Sequence, residues 1–191
     1  MREKGAFMED ITIINLFFQR DEKAISALAE KHGKLFRKLA RNILQNEADA
    51  EECVNDTYLA VWNAIPPKKP QSLTAFVCGI ARNIATARYH HLTAEKRNSF
   101  YDVALDELCD CIPADETADG DGGKPLTEAI NGFLETLSEE ENAIFVRRYY
   151  FSEPIAEIAR EWSVSSHYIS VKLSRIREKL RKFLEKRGIR I

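Results

Sequence analysis

Apolar residues recur every three to four positions along nearly the whole 191-residue chain, and no segment alternates apolar and polar residues like a strand. This spacing puts apolar side chains on one face of a helix, which must then be buried against other helices. Apolar residues make up 45% of the chain and charged residues 30%, a balance typical of globular proteins. The sequence therefore predicts an all-α fold.

An acidic stretch separates two basic parts of the chain. Residues 99–137 carry ten acids and one lysine, whereas residues 1–98 carry a net charge of +3 and residues 138–191 a net charge of +4. The run from Ala114 to Pro125 adds three glycines to four of these acids, a composition that cannot bury a core. We therefore expect two small helical domains, residues 1–98 and 126–191, joined by an acidic flexible linker over residues 99–125.

Local sequence signals predict where helices of the first domain begin and end. The apolar pattern between Ile25 and Leu44 predicts two consecutive helices broken near Gly33. Asn46 has the side chain of an N-cap, and the helix that it begins should stop at the Pro66-Pro67 pair.

The helix that follows Pro70 offers a surface suited to an unpaired DNA strand. If Ile80 and Ile84 point inward, the outer face carries Arg82, Thr86 and Tyr89, with polar residues beside them. Cations neutralise phosphates, whereas aromatic rings and amides stack on or hydrogen-bond to exposed bases. The alternative is an ordinary amphipathic surface helix.

The second domain shows the pattern of a helix-turn-helix. Ser138-x-x-Glu141 is a capping box, and a later helix ends at the short turn Ser163-Val164-Ser165. The helix after the turn is basic, because residues 164–191 hold nine basic residues and two acids. This combination favours duplex DNA binding. The alternative is a solvated basic helix in a structural hairpin.

Other classes of protein lack support in the sequence. Cys53, Cys78, Cys109 and Cys111 do not form the two close pairs of a structural zinc site, and no catalytic or cofactor-binding motif occurs. We therefore predict no enzyme activity, no metal and no cofactor. Without a signal peptide or a long apolar segment, we expect a cytoplasmic protein with no membrane partner.

Three segments resemble one family. The segment from Asp49 to Trp62 resembles the region 2.2 helix of bacterial RNA polymerase sigma factors, and the segment from Leu73 to Ala85 resembles the helix that melts and reads the −10 element. Leu137-Ser-Glu-Glu-Glu, Ile155-Ala-Glu-Ile-Ala and the segment from Val171 to Leu180 resemble region 4, which reads the −35 element. The chain is similar to the small extracytoplasmic-function (ECF) class of the sigma-70 family.

The resemblance implies roles for particular residues. It implies a sigma region 2-like bundle and a sigma region 4-like helix-turn-helix domain. The residues expected to bind the polymerase β′ clamp are Asp49, Glu52, Asn55 and Asp56. Those expected to bind −10 DNA are Arg82, Asn83, Thr86, Tyr89, His90, Lys96 and Arg97. Those expected to bind −35 DNA are Ser166, His167, Ser170, Val171, Lys172, Ser174 and Arg175.

The sequence departs from the family pattern at two positions. Ser163 stands where the turn usually has glycine, and Ser170 where a basic residue is common. The implied partners are core RNA polymerase through its β′ clamp and β flap, promoter DNA and an anti-sigma factor, with a monomer as the free state. The alternative function is a stand-alone helix-turn-helix regulator that binds duplex DNA without polymerase.

Overall fold

The computed structural model describes residues 8–92, 100–109 and 123–189, and all regular structure in these ranges is helical, in agreement with the predicted all-α fold. The chain divides into two compact units, residues 1–97 and 98–191. The helices of the first unit are α1 (Asp10–Phe18), α2 (Lys23–Leu44), α3 (Glu47–Ala64) and α4 (Leu73–Leu92). Those of the second are α5 (Phe100–Cys109), α6 (Gly123–Leu134), α7 (Glu139–Phe145), α8 (Ile155–Glu161) and α9 (Ser166–Lys186).

The first unit is a bundle in which α2, α3 and α4 pack against one another and α1 packs on α2. Its core includes the fully buried side chains of Phe17, Phe36, Leu39, Val61 and Val77. The predicted ends of α3 are confirmed. The Asn46 side chain accepts a hydrogen bond from the Asp49 amide, and the helix ends at Ala64, just before the proline pair.

The expected break near Gly33 is wrong, because α2 runs unbroken from Lys23 to Leu44. Glycine serves a different purpose at this position. A Cβ atom on Gly33 would lie 3.0 Å from the Tyr58 hydroxyl oxygen of α3, closer than nearly all real Cβ contacts. Gly33 therefore leaves room for the Tyr58 hydroxyl group.

The second unit buries one apolar cluster to which all five of its helices contribute. Fully buried side chains of this cluster include Ile144, Ile158, Ile169, Leu173 and Leu180. The capping box at Ser138 and Glu141 is present in both directions at the start of α7. A π-helical segment, Val146–Tyr150, continues α7.

Part of the segment expected to form a linker is folded. Residues 100–109 form α5, whose Tyr101 and Ala104 are buried, and Ala104 belongs to the same apolar cluster as Ala129 of α6. The acidic composition of residues 99–125 predicted a linker and so concealed this helix. The acidic, glycine-rich residues 110–122 lie outside the described residues, and they follow α5 and precede α6 in the same unit.

The turn between α8 and α9 places Ser163 in the left-handed region, with φ of 55°. The Ser163 amide donates to the Arg160 carbonyl at 3.3 Å, and the Val164 amide donates to the Ala159 carbonyl at 3.0 Å. These two bonds form a Schellman motif, which normally has glycine at the left-handed position. The structure thus explains why glycine is usual where this chain has serine.

Ser163→Gly is expected to stabilise the second unit by about 0.5 kcal/mol, since a left-handed side-chain-bearing residue costs about 1 kcal/mol and glycine's greater unfolded-state entropy cancels part of the gain. Thermal unfolding measures the change as a rise of about 2–4 °C in Tm. Ser165→Ala is the control of opposite sign, because the Ser165 side chain caps α9 by accepting from the Tyr168 amide. If Ser163→Gly lowers the Tm, as Ser165→Ala should, then the left-handed conformation of Ser163 does not cost stability and the prediction is wrong.

Candidate polymerase and promoter interfaces

The outward face of α3 carries the residues expected to bind the polymerase clamp. Glu52, Asn55 and Asp56 are exposed and Asp49 is half-buried. At 100° per residue, Leu59 falls between Glu52 and Asn55 in the middle of this face. Leu59 is 60% exposed, the highest value among the large hydrophobic residues that the structure describes. We call Asp49, Glu52, Asn55, Asp56 and Leu59 the α3 face.

Arg88 of α4 organises the acidic side of the α3 face. Its guanidinium donates to the Glu52 carboxylate, lies 3.2 Å from Asp49 Oδ1 and lies 4.0 Å from Asp56 Oδ2. The hydrogen bond to Glu52 raises the pKa of Arg88, and the charges of all three acids add to the effect. Three of the four residues expected at the clamp are therefore gathered around one cation that sequence reasoning missed.

Asn55 lies on the other side of the α3 face, next to a groove between α2 and α3. The groove has a volume of about 420 Å³, and its lining includes Lys34, Arg37, Asn55 and Tyr58. The structure thus places Asn55 beside basic residues of α2 rather than with the Arg88 cluster.

The inward face of α4 differs from the face expected from its apolar residues. Its buried residues at four-residue spacing are Leu73, Val77, Ala81, Ala85 and Tyr89. Ile80 and Ile84 are only half-buried. The alanines therefore lie in the middle of the packed face of α4, and the isoleucines flank that face.

This packing changes the expected −10 surface. Tyr89 is 5% exposed and cannot offer its ring to a base in this conformation, so its expected outward position is wrong. Asn83 and His90 are exposed, and Arg82 and Thr86 are half-buried. The Thr86 hydroxyl donates to the Arg82 carbonyl at 2.9 Å, within its own helix. Lys96 and Arg97 lie outside the described residues.

The N-terminal half of α9 carries the residues expected at the −35 element. Ser166, His167, Ser174 and Arg175 are exposed, and the other three members are half-buried: Ser170, Val171 and Lys172. The Ser170 hydroxyl donates to the Ser166 carbonyl at 3.0 Å. Small polar side chains thus line the surface that a duplex would meet, with Arg175 as an exposed cation.

Acids from other helices neutralise much of α9. Lys172 pairs with Glu140 at 3.0 Å, Lys179 with Glu141 at 2.7 Å and Arg177 with Glu107 at 3.3 Å. The net charge of +7 counted along residues 164–191 therefore overstates the positive potential of the folded surface.

The Glu107 carboxylate joins α5 to the π-helical segment and α9. It accepts hydrogen bonds from Arg148 Nη2 at 2.7 Å, Arg148 Nε at 3.2 Å and the Tyr149 hydroxyl at 3.1 Å. Arg148 is only 2% exposed, so Glu107 compensates a buried charge. Burial is the largest cause of the raised pKa of Tyr149. The Tyr149 hydroxyl therefore stays protonated and can donate its hydrogen bond to Glu107.

Two cysteines of the first unit have the properties of core residues. Cys53 and Cys78 are buried, and burial raises the pKa of each to about 11. Protonated buried thiols are poor nucleophiles and poor metal ligands. Within residues 8–92, 100–109 and 123–189, no group of three or more potential metal ligands occurs. No helix in this part of the chain is long and apolar enough to cross a bilayer.

Comparisons with known families identify both units. Residues 28–95 match the family model Sigma-70 region 2, and residues 133–182 match the family model Sigma-70, region 4. Together the two ranges cover more than half of the chain, in the order found in sigma factors. The chain belongs to the sigma-70 family, whose members are generally not enzymes, and it functions as an RNA polymerase sigma factor.

Similarity to individual proteins is much weaker. No curated protein matches the chain. A chain of the solved structure of CnrH in complex with the cytosolic domain of CnrY aligns with 93% of this chain over 97% of its own length. The identity is 20% and the TM-score is 0.44, so this likeness carries no argument about residues or partners.

Proposed function

We propose that this chain is an ECF-type sigma factor that binds core RNA polymerase through α3 and directs it to promoters through α4 and α9. The two matched family regions are separated only by residues 96–132, which supports a compact sigma factor with only a short segment between regions 2 and 4. The partners in this proposal are core polymerase and promoter DNA. An anti-sigma factor and the β flap remain partners proposed from the family resemblance.

The observation that carries the polymerase-binding proposal is the α3 face. An exposed leucine surrounded by acids and an amide suits a partner helix that has basic residues around an apolar strip. Leu59 supplies apolar area, while Glu52 and Asp56 supply charge that steers a basic partner. Arg88 holds these carboxylates in place and so acts as a positioning residue.

For DNA, we assign different roles to the two units. On α4, the exposed Asn83 and His90 are the best-placed residues to meet unpaired −10 bases, with Arg82 beside them. On α9, Ser166, His167 and Ser174 are placed to meet base edges at −35, and Arg175 to meet a phosphate. Tyr89 supports the α4 packing instead of stacking on a base.

Transcription with purified core polymerase tests this proposal. The combined change Asn55→Ala and Asp56→Ala is expected to reduce promoter-specific transcripts about tenfold to thirtyfold at limiting protein, since interface residues of this kind contribute about 1 kcal/mol each. Both side chains are exposed, so the fold should survive the change. Runoff transcripts from genomic fragments give the measurement.

The matched control is Asn15→Ala with Glu22→Ala, an exposed amide and an exposed acid elsewhere in the first unit. It should leave transcript yield unchanged. Equal losses in both variants would count against a specific role for the α3 face, and no protein-dependent start site on any fragment would count against the sigma factor assignment.

A further inference from the structure

Glu140 of α7 holds two side chains of α9 with one carboxylate. The Tyr168 hydroxyl donates to Oε1 at 2.8 Å, and the Lys172 ammonium donates to Oε2 at 3.0 Å. Tyr168 and Lys172 are four residues apart on the same side of α9, and the Lys172 ammonium lies 5.4 Å from the centre of the Tyr168 ring. Both oxygens of Glu140 are therefore used on the N-terminal half of α9, where the proposed −35 surface lies.

This carboxylate is charged at neutral pH. The hydrogen bond from Lys172, followed by that from Tyr168, lowers the pKa of Glu140. The Glu140 side chain is 41% exposed and that of Lys172 is 24% exposed, so solvent screens the pair. A solvent-screened pair of this kind contributes little to the stability of a fold, and a competing anion can replace the carboxylate at small cost.

The position of the charge matters more for binding than for folding. A DNA phosphate that approaches Lys172 meets the negative charge of Glu140 at the same place, and repulsion opposes every duplex equally, whatever its sequence. Contacts of the exposed residues Ser166 and His167 with base edges still favour the correct site, while the charge of Glu140 lowers the affinity for every site.

We propose that the Glu140 carboxylate competes with DNA phosphates for Lys172 and thereby lowers the affinity of the −35 surface for duplexes of any sequence, which restrains binding of the free chain to DNA. This proposal rests on the proposed role of α9 in −35 recognition.

The test is Glu140→Gln in the full-length chain, measured by fluorescence anisotropy with a random-sequence duplex over a series of salt concentrations. Freed Lys172 should raise affinity about two- to fivefold at low salt, the size expected for one partly exposed pair. It should also steepen the slope of log affinity against log salt by about one, the change expected for one added phosphate contact.

Glu139→Gln is the matched control. Glu139 is the neighbouring acid, exposed, with no hydrogen bond or ion pair to the described residues, so the change removes the same charge without releasing Lys172. In a Lys172→Met background, Glu140→Gln should no longer raise the slope. Circular dichroism checks that each variant keeps its helical content.

Equal effects of Glu140→Gln and Glu139→Gln would overturn the proposal, because the gain would then be general electrostatics. Weaker binding by Glu140→Gln would also overturn it and make Glu140 a brace that orients Lys172 for DNA. Arg175→Ala separates these outcomes from a failure of the proposed function. If Arg175→Ala leaves wild-type DNA binding unchanged, α9 is not the DNA surface and both proposals fail.

Discussion

Glu107→Gln is expected to destabilise the second unit by about 3 kcal/mol, because removing one member of a buried charge pair leaves the other without compensation. The stranded charge is that of Arg148, which is 2% exposed and would be left with uncharged acceptors, the Glu153 carbonyl at 2.9 Å and the amide oxygen of the new side chain. The loss should lower the Tm of a unit of this size by about 10 °C or more.

Fluorescence can measure this change in one unit alone. The chain has two tryptophans, Trp62 in the first unit and Trp162 in the second, so a Trp62→Phe background makes emission report on the second unit. Urea unfolding in this background gives the free energy of unfolding with and without Glu107→Gln.

The matched control is Asp106→Asn, since Asp106 is the exposed acid next to Glu107 on α5. It should change the free energy of unfolding by less than about 0.5 kcal/mol, as surface substitutions usually do. Adding Arg148→Met to Glu107→Gln should recover part of the loss, because the buried charge is then gone. If Glu107→Gln alone lowers the free energy of unfolding by less than about 1 kcal/mol, the prediction is wrong, because water must then hydrogen-bond to Arg148 in place of the carboxylate.

Core RNA polymerase is expected to raise the affinity of this chain for a promoter duplex by about 100-fold or more, since two weak DNA-binding units held on one polymerase act at a high effective concentration. The free chain should bind poorly because Glu107, Glu140 and Glu141 neutralise cations of α9. Anisotropy of a labelled fragment that supports initiation, titrated with the chain and with the polymerase complex, gives both affinities.

The control for this second prediction is the Asn55→Ala and Asp56→Ala variant, which should gain little from polymerase. Tight, sequence-specific duplex binding by the free chain, with no gain on adding polymerase, would support the alternative of a stand-alone helix-turn-helix regulator. Such a regulator would use α9 and leave the α3 face without a role.

Local signals in the sequence predicted local structure well. Asn46 caps α3, Ser138 and Glu141 form the capping box, and α3 ends before its proline pair. In each of these features a side chain acts on backbone groups no more than four residues away. A short stretch of sequence is therefore enough to predict it. The turn at Ser163 belongs to the same group.

Contacts between distant residues account for the errors. Tyr89 is buried because it lies on the same packed face of α4 as Ala81 and Ala85, whereas the large apolar residues Ile80 and Ile84 predict a different face. Gly33 was read as a helix breaker because its partner, Tyr58, is 25 positions away. The neutralisation of α9 by Glu107 and Glu140 has the same origin, since a count of charge along the chain cannot pair residues from different helices.

The sequence predicted part of the candidate interfaces, as it did for the fold. The α3 face and the exposed residues of α9 follow from helical periodicity together with the family resemblance. Arg88 and Leu59 were missed for different reasons. Arg88 acts across two helices, and Leu59 is an apolar residue on a polar face, which periodicity alone treats as noise. The signal that could have found Leu59 is its place between Glu52 and Asn55 on the helical wheel.

The packing of α5 has a consequence for how genes of this kind can recombine. A crossover that exchanges the second unit of this protein for that of a relative would have to fall between α4 and α5, within residues 93–99. A junction in the acidic, glycine-rich segment before residue 126 would leave Glu107 with one parent and Arg148 with the other. The boundary at which the protein can be shuffled therefore differs from the boundary that its composition suggests.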